Sequence, residues 1–391
     1  MIIVLAAVFF IGIVSSYTKI ANQYILFSFG LIIILALLGM MYDPIAGFIN
    51  GNYTDLYRIF NEIDLFRQYG WNADQISTVT TNYNAIIVGK IYMFVIAMIS
   101  NNDHVLELVN VIFVYGGMFM AIGYINQKYK TSGYIMSSIL LFFVLINDYS
   151  RVIANIRMPL ATVLFVLLWS NEIKNNRVTI WHYLGYFLIC LLHNAMFIFL
   201  FIKILVDVLP HRSSRILVPI TVLSSIFLNS VISLLTHFSG VSIIISGLLQ
   251  KVLLYSENTN YVGNQALIIN YKDVVVNLFR ILLLFVVVHT ASKLLNKKVV
   301  VENIRLRKLI EFSYCVIAFA IGSMWSYNLF NRTALFTIMI VPIFMVVIAS
   351  VNKERALSVV KWNSYNLFLW TIVIISLIFF FGSHVYQSLI F

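Results

Sequence analysis

Apolar stretches long enough to cross a bilayer recur from one end of this chain to the other, and that repetition leaves few folds open. A hydrocarbon layer of roughly 30 Å takes about 20 helical residues. Stretches of this kind cover residues 1–16, 24–41, 105–125, 134–150, 158–170, 183–208, 216–236, 273–292, 309–327, 333–350 and 364–381, and 84–100 is open to two readings. Lipid gives backbone N–H and C=O groups no partner, so segments that cross it one by one must be helices. The composition points the same way. Of 391 residues, 61% are hydrophobic and 10% charged, whereas a soluble domain carries about 25% charged residues. The mean hydropathy is +0.93. The expectation is an all-α polytopic membrane protein of about 11–12 transmembrane helices, a single membrane domain over residues 1–391 without internal repeat or low-complexity linker. Residues 1–16 lack a basic leader and a small-residue cleavage pattern, so they read as a retained first helix.

A formal charge of +11 would suggest nucleic acid in a soluble protein. Here the basic residues sit in short gaps between apolar segments, the pattern of cytoplasmic anchoring, and no nucleic-acid partner is expected. The strongest gap, 293–308, holds Lys293, Lys297, Lys298, Arg305, Arg307 and Lys308 against Glu302 alone. Lys353, Arg355 and Lys361 put the next-but-one gap on the same, cytoplasmic side, which leaves 328–332 and the C-terminus outside. Cys190 and Cys315 lie far apart inside apolar segments and indicate neither a disulfide framework nor a zinc site.

Two gaps are long and not basic. Residues 42–104 carry six acids (Asp43, Asp55, Glu62, Asp64, Asp74, Asp103) against Arg58, Arg67 and Lys90, and form a first external loop with interfacial helices. Residues 237–272, with the polar run Tyr255 to Tyr261, form a second. Long loops of this kind tend to carry function. Parity then decides the rest. If 84–100 and 183–208 are each one crossing, Lys128, Lys130, Lys174 and Arg177 fall outside. If 84–100 lies in the interface and 183–208 is a broken pair of half-helices turning at His193-Asn194, every basic gap is cytoplasmic, and this is the preferred arrangement. It brings Arg151 and Arg157 to the external side.

Arginine at membrane depth is costly and is kept mainly where a partner or ligand needs it. Asp148, Arg151, Asn155 and Arg157 interrupt an apolar region just before Pro159, an arrangement in which two guanidinium forks converge on a phosphate. The plainer alternative is that both arginines reach for lipid headgroups. His193 is either a packed core histidine or, on the broken-helix reading, a group at the outer surface beside those arginines. Asn331-Arg332 opens a late helix, where arginine commonly serves as an interfacial anchor. The first loop combines Asp55, Tyr57, Asn61, Glu62 and Asp64. Rings and carboxylates together suit sugars, while the alternative is a solvated loop with an amphipathic helix on the membrane at about 56–68. A phosphate-binding glycine loop, an HExxH, a DxD and a metal-ligand cluster among the seven histidines are all absent, which argues against ATP hydrolysis and zinc proteolysis.

Four short motifs fall in a suggestive order: Thr54-Asp-Leu-Tyr57, Asn155 to Ala161 (Asn-Ile-Arg-x-x-Leu-Ala), Leu192 to Ala195 (Leu-His-x-Ala), and Asn331-Arg332. Together they resemble the EpsG-like group of Wzy-type polysaccharide polymerases, which make O-antigen, capsule or exopolysaccharide. That family usually has Gln after its Ile-Arg motif, where this chain has Met158-Pro159. The resemblance implies a metal-independent, GT-C-like glycosyltransferase of the bacterial inner membrane that needs no cofactor. Its donor and acceptor would be oligosaccharide units on undecaprenyl pyrophosphate, within membrane lipid, and its protein partners a chain-length regulator and a flippase. Asp55, His193 and Arg157 would be catalytic, and Arg151, Arg332, Asn155 and Tyr57 would bind pyrophosphate or glycan. The alternative is a lipid-linked oligosaccharide flippase or another polytopic transporter, with the same arginines binding pyrophosphate without chemistry.

The topology is testable by itself. Cysteines placed at Asn52 and Asn258 are expected to react with an impermeant thiol reagent in intact spheroplasts, and one at Asn296 is not. Labelling at Asn296 inverts the arrangement and takes the external site with it.

Overall fold

The computed structural model describes residues 23–41, 55–79, 81, 83, 86–131, 133–147, 149–210, 214–227, 266–294, 303–324 and 326–356. The apolar stretches 1–16 and 364–381 lie outside these residues, as do the end of the stretch 216–236 from residue 228 and residues 42–54 and 237–265 of the two long loops. All regular structure among the described residues is helical. In chain order the helices are α1 (Gln23–Met40), α2 (Asp55–Tyr69), a 3-10 segment (Gly70–Gln75), α3 (Ile87–Ile99), α4 (His104–Tyr129), α5 (Gly133–Ile146) and α6 (Tyr149–Ala154). Then follow α7 (Arg157–Asn175), α8 (Ile180–Cys190), α9 (Met196–Val208), α10 (Ser214–Ile226), α11 (Ala266–Leu294), α12 (Ile304–Gly322) and α13 (Tyr327–Ala356).

Three segments, His104–Tyr129, Val274–Lys293 and Leu329–Ser350, are long and apolar enough to cross a membrane, and the shorter apolar helices stand among them. Length and composition thus mark an all-α membrane protein. Leu329–Ser350 is buried along its most apolar window, so α13 is the central post, packed against α4, α5, α7, α11 and α12. The outer helices bury one face only. Exposed Leu26, Phe29, Ile33 and Leu37 on α1, and Val275, Leu278, Leu282 and Phe285 on α11, recur every three or four residues. That is the spacing of a single helical stripe, here turned away from the protein core and toward lipid.

The bundle has two distinguishable ends. One carries the start of α12, with Arg305, Arg307 and Lys308. There the Asn303 side chain accepts a hydrogen bond from Leu306 N–H at 3.0 Å, capping α12, and donates to the Ile173 carbonyl at 2.8 Å near the end of α7. So α7 runs from Arg157 at the opposite, loop end to Asn175 at the basic end. That direction is reversed in α12 and restored in α13.

The sequence expectations are met unevenly. Residues 183–208 form two helices, α8 and α9, with a break at 191–195. Residues 84–100 yield the 13-residue α3. At about 20 Å, from 1.5 Å per residue, it is shorter than a full crossing. Helix α2 covers the amphipathic segment, but its Leu56, Ile59, Ile63 and Phe66 are at most 2% exposed, so it packs into the protein and is no solvated loop. Asn331-Arg332 lies in the second turn of α13, because that helix starts at Tyr327.

Helices α10 and α12 approach so closely that a Cβ on Gly322 would fall 1.8 Å from Ser225 Oγ and 2.9 Å from the Val222 carbonyl oxygen. Gly322→Ala is therefore expected to cost ~1–3 kcal/mol of stability. The change should lower the melting point in detergent, and Ser225→Ala should restore part of the loss. An unchanged melting point would show that the two helices are not in contact there.

Candidate functional site

The interrupted segment 180–208 positions the site. Helix α8 has 11 residues and α9 has 13. They reach about 16–20 Å each, short of the ~30 Å that a crossing needs. Their far ends meet, because Tyr183 of α8 donates to Asp207 Oδ2 of α9 at 2.7 Å. The pair is therefore a hairpin whose two feet share the basic end and whose tip, Leu191 to Ala195, points toward the loop end. At the tip the chain leaves helical geometry without losing its hydrogen bonds: His193 N–H donates to Ile189 O at 3.2 Å, and Met196 N–H to His193 O at 3.0 Å.

The feet are held by buried charge. Lys203 is fully buried and donates to Glu172 Oε2 at 3.1 Å and Asp207 Oδ2 at 2.8 Å. Arg305 of α12 bonds Asp207 Oδ1 at 2.8 Å, and Tyr186 donates to Glu172 Oε1 at 2.7 Å. The Lys203 ammonium also sits 4.0 Å from the centre of the Trp169 ring. Two acids thus face two bases, the condition under which burying ions is tolerable. Lys308 adds a cap, donating to the carbonyls of Val206 and Leu209 at 2.6 Å each, where the end of α9 would leave them unsatisfied.

At the tip three elements converge on Gly89, in the first turn of α3. Its N–H donates to Leu191 O at 3.4 Å, and a Cβ there would lie 3.3 Å from Leu192 O and 3.6 Å from Arg157 Cδ. A side chain here would have to push the Leu192 carbonyl aside by a few tenths of an ångström, so glycine suits the close meeting of the start of α3, the hairpin tip and Arg157. Next to this junction lies Glu62 of α2, 2% exposed. Thr81 Oγ1 is 2.8 and 3.0 Å from its two carboxylate oxygens, Tyr83 OH donates to Oε2 at 2.8 Å, and Arg58 Nε stands 3.7 Å from Oε1. Burial, and then the Glu62 charge, push the Tyr83 phenol above its ordinary value, while Arg157 pulls it down. Tyr83 therefore feels Glu62 and Arg157 together.

Helix α2 and the α3 segment are fixed over this junction by their own ion pairs. Arg67 bridges Asp64 and Asp103 and donates to Ser100 O. Lys90 holds Asp74 at 2.9 Å and stacks on Trp71 with its ammonium 4.1 Å from the ring centre.

Of the residues singled out in the sequence, Arg157 and His193 come to this junction, Arg157 through Gly89 and His193 through the hairpin tip. Asn155 and Tyr57 are half-buried on the elements beside it. Asp55 opens α2 and Arg151 lies in α6, but their side chains lie outside the described residues. Arg332 is three residues before Leu335, and so on the same face of α13. Leu335 and Met339 line a small cavity with Asn147, Met158, Pro159 and Thr162, which places that face against the start of α7. His193 Nδ1 accepts the Ala195 N–H at 3.3 Å, so in the neutral ring the proton is on Nε2. Among the described residues no group of three His, Cys, Asp or Glu side chains is placed to hold a metal.

Sequence reading passed over Thr81, Tyr83, Lys203 and Arg280. Arg280 is 1% exposed within α11. Its Nη1 donates to Asn277 Oδ1 at 3.2 Å, and Asn277 Nδ2 donates to Asn331 Oδ1 at 3.2 Å. The signal was a lone arginine inside the apolar stretch 273–292.

Lys203→Met removes one member of the ion network and leaves two acids facing Arg305. The expected cost is ~3–5 kcal/mol, since the loss of one partner strands a buried charge. Lys203→Met should melt well below the parent protein in detergent, whereas Lys293→Met, at an exposed position, should not. Equal melting points would remove the network from its anchoring role.

No family model, curated protein or solved structure matches the chain.

Proposed function

We propose that the chain is a polysaccharide polymerase of the Wzy type, a GT-C-like glycosyltransferase with about 11–12 transmembrane helices and two longer external loops. It would join oligosaccharide units carried on undecaprenyl pyrophosphate at the outer face of the bacterial inner membrane. The observation that carries this reading is the junction of Arg157, the hairpin tip with His193, and the buried Glu62–Tyr83 pair at one end of an apolar bundle. A lipid-linked donor needs its glycan and pyrophosphate at the end of the hydrocarbon and its chain within it, and the bundle has that polarity.

In this reaction an acceptor hydroxyl oxygen bonds to the anomeric carbon of the donor as the anomeric carbon–oxygen bond to pyrophosphate breaks. Undecaprenyl pyrophosphate leaves with the bonding electrons, and the hydroxyl proton passes to a base. The forks of Arg157, and of Arg151 and Arg332 where they reach the site, meet the negative charge that grows on the leaving group. His193, as a neutral donor, orients a sugar oxygen. Tyr57 and Asn155 serve the glycan, and Asp55 at the start of α2 is within the same loop region. The reading needs no metal, since guanidinium groups supply the charge.

Arg157→Lys keeps the charge and loses the planar fork, so it is not a conservative change at a phosphate site. Cells carrying this variant at normal abundance are expected to display surface glycan one repeat unit long, or sharply shortened. Wild-type chain length would reduce Arg157 to a headgroup anchor. Loss of even the single-unit glycan would favour a flippase, because the units would then stay on the inner leaflet.

A further inference from the structure

Glu62 is held in a way that a packing role does not require. Its carboxylate is buried, yet Thr81 reaches both oxygens, Tyr83 donates to Oε2 at 2.8 Å, and Arg58 approaches Oε1 at 3.7 Å. Three neighbouring side chains thus converge on one buried carboxylate. The Tyr83 hydroxyl donates to this carboxylate and is close enough to Arg157 for the guanidinium charge to act on it. The same short segment, 81 to 89, carries Thr81, Tyr83 and the glycine that contacts both Arg157 and the hairpin tip.

Resting on the polymerase reading, we propose that Tyr83 and Glu62 form the proton relay of the transfer, with the tyrosine oxygen receiving the acceptor proton and the carboxylate storing it. As the acceptor oxygen attacks the anomeric carbon, its proton moves to Tyr83 Oη. The proton already on Tyr83 moves along the 2.8 Å hydrogen bond to Glu62 Oε2. The anomeric carbon–oxygen bond breaks, and undecaprenyl pyrophosphate takes the electron pair. Tyr83 is neutral before and after, Glu62 ends protonated, and Arg157 faces the new pyrophosphate charge. Release of the Glu62 proton back through Tyr83 to the leaving group or to water resets the pair.

Two observations favour this relay over the other groups at the junction. Burial beside a carboxylate drives the Tyr83 phenol upward, so the tyrosine does not serve as an anion by itself and needs the acid behind it. His193 uses its Nδ1 lone pair for the Ala195 N–H, which leaves the other nitrogen protonated and unsuited to take a proton in the neutral ring. In this scheme the Tyr83 oxygen, in a residue only 2% exposed before substrate binds, meets the reacting hydroxyl in the bound complex, and Glu62 acts through it.

The test uses the full chain in lipid vesicles. Its substrate is undecaprenyl-pyrophosphate-linked oligosaccharide extracted from producing cells that lack the protein. Glu62→Gln and Tyr83→Phe are each expected to lower kcat by about 10²–10⁴-fold with KM little changed, the usual range for losing general-base assistance. Glu62→Asp should recover part of the rate. The double variant should be no slower than the slower single one, because members of one relay act as a unit. Melting points of all variants, read in parallel, separate chemistry from folding: a rate loss at an unchanged melting point supports the relay. Wild-type rates from Glu62→Gln or Tyr83→Phe would overturn it, as would multiplicative losses in the double variant or losses that follow the melting points. Failure of the wild-type protein itself to make polymer would overturn the polymerase reading, and the relay with it.

Discussion

A charge buried inside a protein must be met by another charge, and in this protein that requirement fixes the geometry of the site from the opposite end of the molecule. Lys203 is fully buried among the helices, so it is compatible with folding only when Glu172 of α7 and Asp207 of its own helix stand beside it. Arg305 closes the set from α12. Three separate stretches of chain are thereby forced to one point, and the hairpin that rises from that point has nowhere else to put its tip. The hairpin is too short to be stabilised as a crossing, so its orientation is owed to this network and to the Lys308 cap rather than to the bilayer.

The two ends of the bundle use polar groups differently. At the basic end the charges saturate one another, and aromatic rings of Trp169, Tyr183 and Tyr186 enclose the ammonium. Such a cluster gives rigidity and little affinity for anything else. At the loop end the polar groups come from α2, α3, α7, the hairpin tip and the early turns of α13. The contrast is one of division of labour: a satisfied network sets positions, and the groups it positions face a ligand.

Much of this was legible in the sequence, for reasons that are physical. Apolar stretches with basic gaps announce membrane helices, because lipid admits little else. A polar His193-Asn194 pair in the middle of an apolar run, with parity that fails unless the run is broken, foretold the hairpin. The site was legible in part: Arg157 and His193 were expected to be neighbours because both were assigned to one side. What the sequence concealed is pairing over distance. Nothing local shows that Asp207 waits for Arg305 or that Glu62 is buried under Thr81 and Tyr83, since a carboxylate on an amphipathic helix reads equally well as solvated. Helix starts were also misjudged, as with Tyr327, because an aromatic and two asparagine residues near a polar gap give no sharp boundary signal.

The hairpin also imposes an order in time. Asp207 and Arg305 are separated by 98 residues, which a ribosome adds in about 5–20 s. Throughout that interval α8 and α9 have been made, α12 has not, and the acids at the hairpin's feet have Lys203 as their only basic partner from this network. Neither half is long enough to enter the bilayer alone and stay. The segment must therefore wait near the membrane surface, or within the insertion machinery, until the C-terminal helices arrive. Assembly of this protein is thus a late event, completed from the C-terminal side, and the interval before it is when the nascent chain is most open to capture by chaperones or proteases.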